Sequence, residues 1–272
     1  MLTGARPAFV AATQRLASYA AGADAAAIST TANEVLSVAT VLQREPRLRR
    51  ALTDSSRGEQ DRVALLRTVF GSRIGGPATD LLADLVAGRW SRPSELLDAV
   101  EQLGARALLA SSEALDELVQ VEDELFRFGQ IVAGSPQLAA LLSDGSGPVE
   151  RRADLVAQLL RGKATETTVR LVRLALAGFG GRGFAASIAR LVELAAQTRE
   201  HTIAYVTTAI PLTDAEEQRL ATALANQYGR QMSLQVDVDD AVLGGVRVKV
   251  GSDLFDGTLL RRLTVARQAL TR

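Results

Sequence analysis

Two hydrophobic periods divide the chain. Up to about residue 201, apolar residues recur every three or four positions, as amphipathic helices require; from Thr202 onward, short stretches alternate with a period of two. Between Ser94 and Ala133 there is no proline, and Leu96, Val100, Leu103, Leu108, Leu115, Leu118, Leu125 and Phe126 keep near-helical spacing. The pattern predicts one long helix of about 40 residues, roughly 60 Å, stopped by Gly134, Ser135 and Pro136. Two helices broken near Ser111 and Ser112 are the alternative.

Strands are predicted over Thr202–Ile210, Ser233–Val238 and Val246–Val250, with a helix from Asp214 to Tyr228. Thr213 and Glu216 have the spacing of a capping box for that helix. In the last strand Val246, Val248 and Val250 point one way while Arg247 and Lys249 point the other. Gly244 and Gly245 mark its start, where the absence of a Cβ permits positive φ. Asp256, followed by Gly257, is placed to cap a final basic helix whose apolar stripe is Leu259, Leu263, Ala266 and Leu270.

Sliding the chain along itself by 90 residues exposes a repeat. Pro46 falls on Pro136, Leu52 on Leu142, Asp54 on Asp144, Arg62 on Arg152, Leu81 on Leu171, and Ala87-Gly88 on Ala177-Gly178, all in one register. The expected fold is mainly α: two helical bundles, residues 1–105 and 106–201, joined by the long helix, then a small α+β domain over 202–272.

Composition narrows the function classes. Lys plus Arg and Asp plus Glu are both 31, so no basic excess argues for nucleic acid, and the absence of cysteine removes disulfides and thiolate metal sites. No run of about 18 uninterrupted apolar residues argues for direct membrane insertion. His201 is the single histidine and has no nucleophile elbow beside it. Asp237, Asp239 and Asp240 lack the glycine and glutamate of a calcium loop, and Gly178–Gly183 follows a helix pattern where a phosphate loop needs a strand. Trp90 reads as packing over its own bundle or as a partner anchor. No catalytic, cofactor or metal residues are assigned.

The segment Val242–Leu263, V-L-G-G-V-R-V-K-V-G-S-D-L-F-D-G-T-L-L-R-R-L, closely resembles the C-terminal signature of the delta subunit of F-type ATP synthases, called the oligomycin-sensitivity-conferring protein in mitochondria. Upstream, A-Y-V-T-T-A-I-P-L-T, Ala204–Thr213, resembles that family's strand ending in Pro-Leu. The resemblance implies a non-catalytic stator subunit without cofactors. On that reading the helical part takes up an N-terminal helix of an alpha subunit on the catalytic head, and the C-terminal domain joins the b subunit of the peripheral stalk. The complex would sit at the cytoplasmic face of a bacterial plasma membrane. Gly244, Gly245, Asp256 and Gly257 would then set backbone geometry, with Leu260, Arg261 and Leu263 for partner contact. One bundle would be an extra copy. The alternative is a helical scaffold of an unrelated complex.

Overall fold

A computed structural model describes residues 6–228, 232–239, 242, 244–250 and 253–257, with the backbone alone at 6 and 200–203. The chain divides into two compact units, Met1–Ala196 and Gln197–Arg272.

In the first unit, α1 (Arg6–Gly22), α2 (Ala25–Arg44), α3 (Pro46–Leu52), α4 (Glu59–Phe70), α5 (Gly76–Ala87) and α6 (Pro93–Ala114) are followed by α7 (Leu118–Ala133), α8 (Pro136–Ser143), α9 (Val149–Leu160), α10 (Glu166–Leu176) and α11 (Phe184–Thr202), the last running past the unit's boundary. Local chemistry sets the starts. Proline occupies the first turn of α3, α5, α6 and α8, where its missing N–H has no helical partner to lose. Asp24, Ser135 and Thr165 cap α2, α8 and α10 by accepting the N–H three residues on.

The 90-residue offset is carried through the whole unit. It maps α2, α3, α4 and α5 onto α7, α8, α9 and α10, and it maps α6 onto α11. It also places α1 over residues 96–112, inside α6. The copies are therefore α1 to α6 and α6 to α11, and α6 is both the last helix of one and the first of the other. Paired positions share their environments: Leu52, Leu66 and Leu81, and their counterparts Leu142, Val156 and Leu171, are all at most 1% exposed. The Asp54 carboxylate accepts the Ser56 hydroxyl and N–H, and Asp144 accepts the Ser146 N–H. The hydroxyl first and then the N–H of that serine hold each carboxyl below its ordinary range.

One apolar core runs from Ala12 to Ala195 through both copies, and the boundary expected near residue 105 falls inside α6. Leu96, Leu103, Leu108 and Leu109 of α6 are fully buried. Against it lies α2, antiparallel: the Ser111 hydroxyl donates to the Ala25 carbonyl, and at Gly104 a Cβ would meet Leu36 Cδ2 at 2.5 Å, so only glycine admits that approach. By composition and length α2 alone among the described residues qualifies as a membrane span, yet Ile28, Ala32, Val35, Val38 and Leu42 are packed inside the protein.

The long helix expected over 94–133 is two helices, which corrects the first of the two readings. The break comes at Leu115–Glu117, just beyond Ser111 and Ser112, both of which are buried within α6. Asp116 takes φ 59°, a left-handed conformation that aspartate tolerates, and the Ser112 carbonyl accepts the N–H groups of Leu115 and Glu117.

In the second unit, β1 (Ile203–Thr208), α12 (Asp214–Tyr228), β2 (Ser233–Val238), β3 (Val246–Val250) and β4 (Asp253–Asp256) build a sheet in the order β2-β1-β3-β4. β1 and β2 run parallel, joined through α12, and β3 and β4 add antiparallel pairs. The glutamate half of the capping box at α12 is present: Glu216 accepts both the N–H and the hydroxyl of Thr213, while its own N–H donates to the Thr213 carbonyl. Ala204, Val206, Val248 and Val250 form the small core with Leu224 of α12. The alternation assigned to β3 is observed, whereas β4 is a strand that the sequence pattern did not indicate.

Two side chains give this fold measurable signatures. Arg62, 5% exposed, donates to the carbonyls of Val86, Ala87 and Gly88 at the end of α5 and to Arg57, whereas its counterpart Arg152 donates to Leu142 alone. Arg62→Ala is expected to lower unfolding free energy by about 3 kcal/mol and Arg152→Ala by about 1 kcal/mol, read by urea denaturation. Glu101 of α6 is buried, and desolvation raises its carboxyl to about 7 despite a 2.7 Å hydrogen bond from the Gly180 N–H. Below the ordinary value of 4.5 both folded and unfolded carboxyls are neutral; between 4.5 and about 7 only the unfolded one ionises, so stability falls by roughly 3 kcal/mol as pH rises through that window. Glu101→Gln, which retains an acceptor for Gly180, is expected to stabilise the protein at pH 8 and leave it unchanged at pH 4.5 in thermal melts.

Candidate partner-binding surfaces

Gly244 and Gly245 immediately precede β3. Gly244 and Gly245 take φ of 66° and 85°, both left-handed. They complete a reversal in which Asp239 N–H donates to Thr208, Val242 N–H to Asp239, and Gly244 N–H to Val242. The reversal ties the ends of β1 and β2 to the start of β3.

Gly257 belongs to the same end of the sheet. Its N–H donates to the Val246 carbonyl at 3.0 Å, and a Cβ on it would meet that same oxygen at 3.0 Å. Asp256 closes β4 opposite Arg247, with its carboxylate 3.8 Å from the guanidinium. Gly244, Gly245, Asp256 and Gly257 are thus brought together. The segment expected to form a final helix, with Leu260, Arg261 and Leu263, lies outside the described residues, as does the side chain of His201.

Among the described residues, α12 packs on one face of the sheet. On the other, register aligns Tyr205 with Lys249 and Lys249 with Leu254. Tyr205 and Leu254 are 43% and 57% exposed, so among the described residues this face combines apolar area with a cation. The sequence reading missed Leu254 because β4 is only four residues long. Phe255 lies on the covered side, edge-on to Tyr228, whose hydroxyl also donates to Asp253.

In the helical unit, exposed large apolar side chains concentrate in the second copy. Leu115, Val119, Phe126, Ile131, Leu141 and Leu159 are exposed there, against Val10 alone among the described residues of α1 to α5. Val119, Phe126 and Ala133 recur at seven-residue spacing on α7, beside the face that buries Val121, Leu125, Phe128 and Val132. Phe128 meets Phe184 edge-on, and a Cβ on Gly129 would reach Ile188 at 3.2 Å, so α11 is the neighbour on that side. Trp90 is buried and donates to the Leu85 carbonyl, which settles its role as packing within the first copy. The Gly178–Gly183 run is a helix connection whose Gly180 N–H is engaged by Glu101. Among the described residues no group of three or more His, Cys, Asp or Glu is placed to hold a metal ion.

Comparison with known proteins gives this arrangement a context. The family model of the ATP synthase delta (OSCP) subunit matches residues 100–270, that is, most of α6, the second copy and the sheet unit. Over nearly the full length, the chain is 55% identical to the ATP synthase subunit delta of Salinispora arenicola, covering 95% of this chain and 94% of that one. It is 53% identical to that of Salinispora tropica (98% and 97%) and 46% identical to that of Streptomyces avermitilis (88% and 88%). These relatives span the first copy as well, which the family model leaves out. The chain belongs to the ATP synthase delta (OSCP) subunit family.

Proposed function

We propose that this protein is a non-catalytic stator subunit of an F-type ATP synthase, linking the catalytic head to the peripheral stalk and resisting rotor torque. The observation that carries the reading is the match to proteins named ATP synthase subunit delta at 53 to 55% identity over at least 94% of both chains. Two units, each with an open apolar surface, support it, since a link must hold two bodies.

The mechanism is mechanical. Torque applied by the rotor turns the head as well unless a static connection opposes it, and the connection must transmit force without yielding. The helical unit suits the head, taking up an N-terminal helix of an alpha subunit by burying apolar stripes over many residues. The sheet unit suits the stalk b subunit, through the face of Tyr205, Lys249 and Leu254 and through the segment with Leu260, Arg261 and Leu263. Each attachment holds the other near its site, so neither contact has to be strong alone. On this reading the complex sits at the cytoplasmic face of a bacterial plasma membrane, reached through the other subunits.

Gly245→Val tests the reading, because a β-branched residue at φ 85° strains the reversal that starts β3 by about 2 kcal/mol or more. Membranes carrying this variant are expected to keep ATP hydrolysis while ATP-driven proton pumping falls severalfold, measured by quenching of a pH-sensitive dye. Pumping at the wild-type level with the sheet unit unfolded would contradict the proposal.

A further inference from the structure

The junction before the last helix of each copy is built in two ways. In the first copy α5 passes to α6 through Gly88 and Trp90. A Cβ on Gly88 would meet the Ala8 methyl of α1 at 2.5 Å, and Trp90 is buried beside it, donating to the Leu85 carbonyl. In the second copy α10 passes to α11 through residues 178–183, four of which are glycine, and α6 carries Asp98 and Glu101 where α1 has Ala8 and Ala11. The fold does not need acids at this junction, and only the second copy places two there.

Gly178, Gly180 and Gly181 are left-handed, at φ 90°, 63° and 69°. Phe179 is fully buried and pins the turn, while the Gly180 N–H donates to Glu101 at 2.7 Å. No side chain fits at Gly180, because a Cβ there would meet Asp98 Oδ1 at 2.6 Å and overlap the Arg182 guanidinium. Asp98 and Arg182 stand 3.9 Å apart, and the buried Asp98 Oδ1 accepts no hydrogen bond among the described residues. Burial is the largest influence on Glu101 and favours its neutral form. The Gly180 N–H opposes it, Asp98 reinforces it, and Arg182 and Arg49 of α3 oppose it more weakly. Arg170 and Arg173 of α10 border the crevice that Glu101 lines, whereas α2 offers Asn33, Thr40 and Gln43 and no charge there.

We infer that residues 178–183 form a proton-controlled latch on α6. The latch is closed while Glu101 is neutral. When Glu101 ionises, Gly180, Gly181 and Arg182 lift to admit water, pivoting on the left-handed glycines while Phe179 stays buried. The sign follows from burial: the closed form penalises the carboxylate and the open form hydrates it, so rising pH favours opening. Since α11 begins at Phe184, the latch grades how firmly its first turn is held to the shared helix. This is a property of the helical unit alone and does not rest on the stator reading.

Amide hydrogen exchange of the full chain, followed by NMR at pH 5.5 and pH 8 and expressed as protection relative to each amide's intrinsic rate, reads the opening. Protection of the Gly180, Gly181 and Arg182 amides is expected to be about tenfold lower at pH 8 and insensitive to low urea, as a local opening is. In Glu101→Gln the same amides are expected to keep equal protection at both pH values. In Asp98→Asn, which removes the neighbouring like charge, the midpoint of the change is expected to move to lower pH. Protection independent of pH in the wild type, or exchange of these amides only through the urea-sensitive global opening, would overturn the inference. So would an unaltered pH dependence in Glu101→Gln, which would assign the titration to another group such as His201.

Discussion

The structure of the helical unit depends on one helix serving two bundles. α6 closes the first copy and opens the second, so it must bury apolar side chains around most of its circumference, and the run from Glu101 to Ala105 is buried without interruption. A helix apolar on one stripe cannot do this. α6 does it with small residues where a neighbour is close, Gly104 against Leu36 being the extreme case, and with leucines where there is room to fill. The burial also traps Glu101, whose single strong compensation is the Gly180 N–H at the far end of the second copy.

Sharing a helix has a mechanical consequence. Two bundles joined by a flexible linker move independently, whereas two bundles built on one helix can separate only by breaking the core of both. For a stator, whose task is to keep one body still against another, that continuity is the useful property. It also explains how duplication can lengthen the helical unit without introducing a hinge between its copies.

Much of this was legible in the sequence. The shared punctuation of Pro46 and Pro136, Asp54 and Asp144, and Arg62 and Arg152 marked the repeat, because turn and cap chemistry is local and survives changes in packing. The double membership of α6 was not legible, since the register that equates it with α1 is carried by helix position and scarcely by side chains. The break after α6 was hidden because an aspartate, Asp116, supplies the left-handed residue where a glycine would have announced it. β4 escaped because four residues next to a glycine give alternation too little length. The backbone-geometry reading of the C-terminal motif rested on Gly244, Gly245, Asp256 and Gly257, and their clustering at one end of the sheet follows from β3 and β4 pairing antiparallel.

The shared helix is tested most directly by native-state hydrogen exchange in rising urea across residues 6–196. If α6 unites the copies, the slowest amides of α2 and α5, of α6 near Leu103, and of α7 and α10 will converge on one opening free energy equal to that of global unfolding. If the amides of α1 to α5 open together at a lower free energy while those of α7 to α11 stay protected, the copies are separate bodies and the central claim fails.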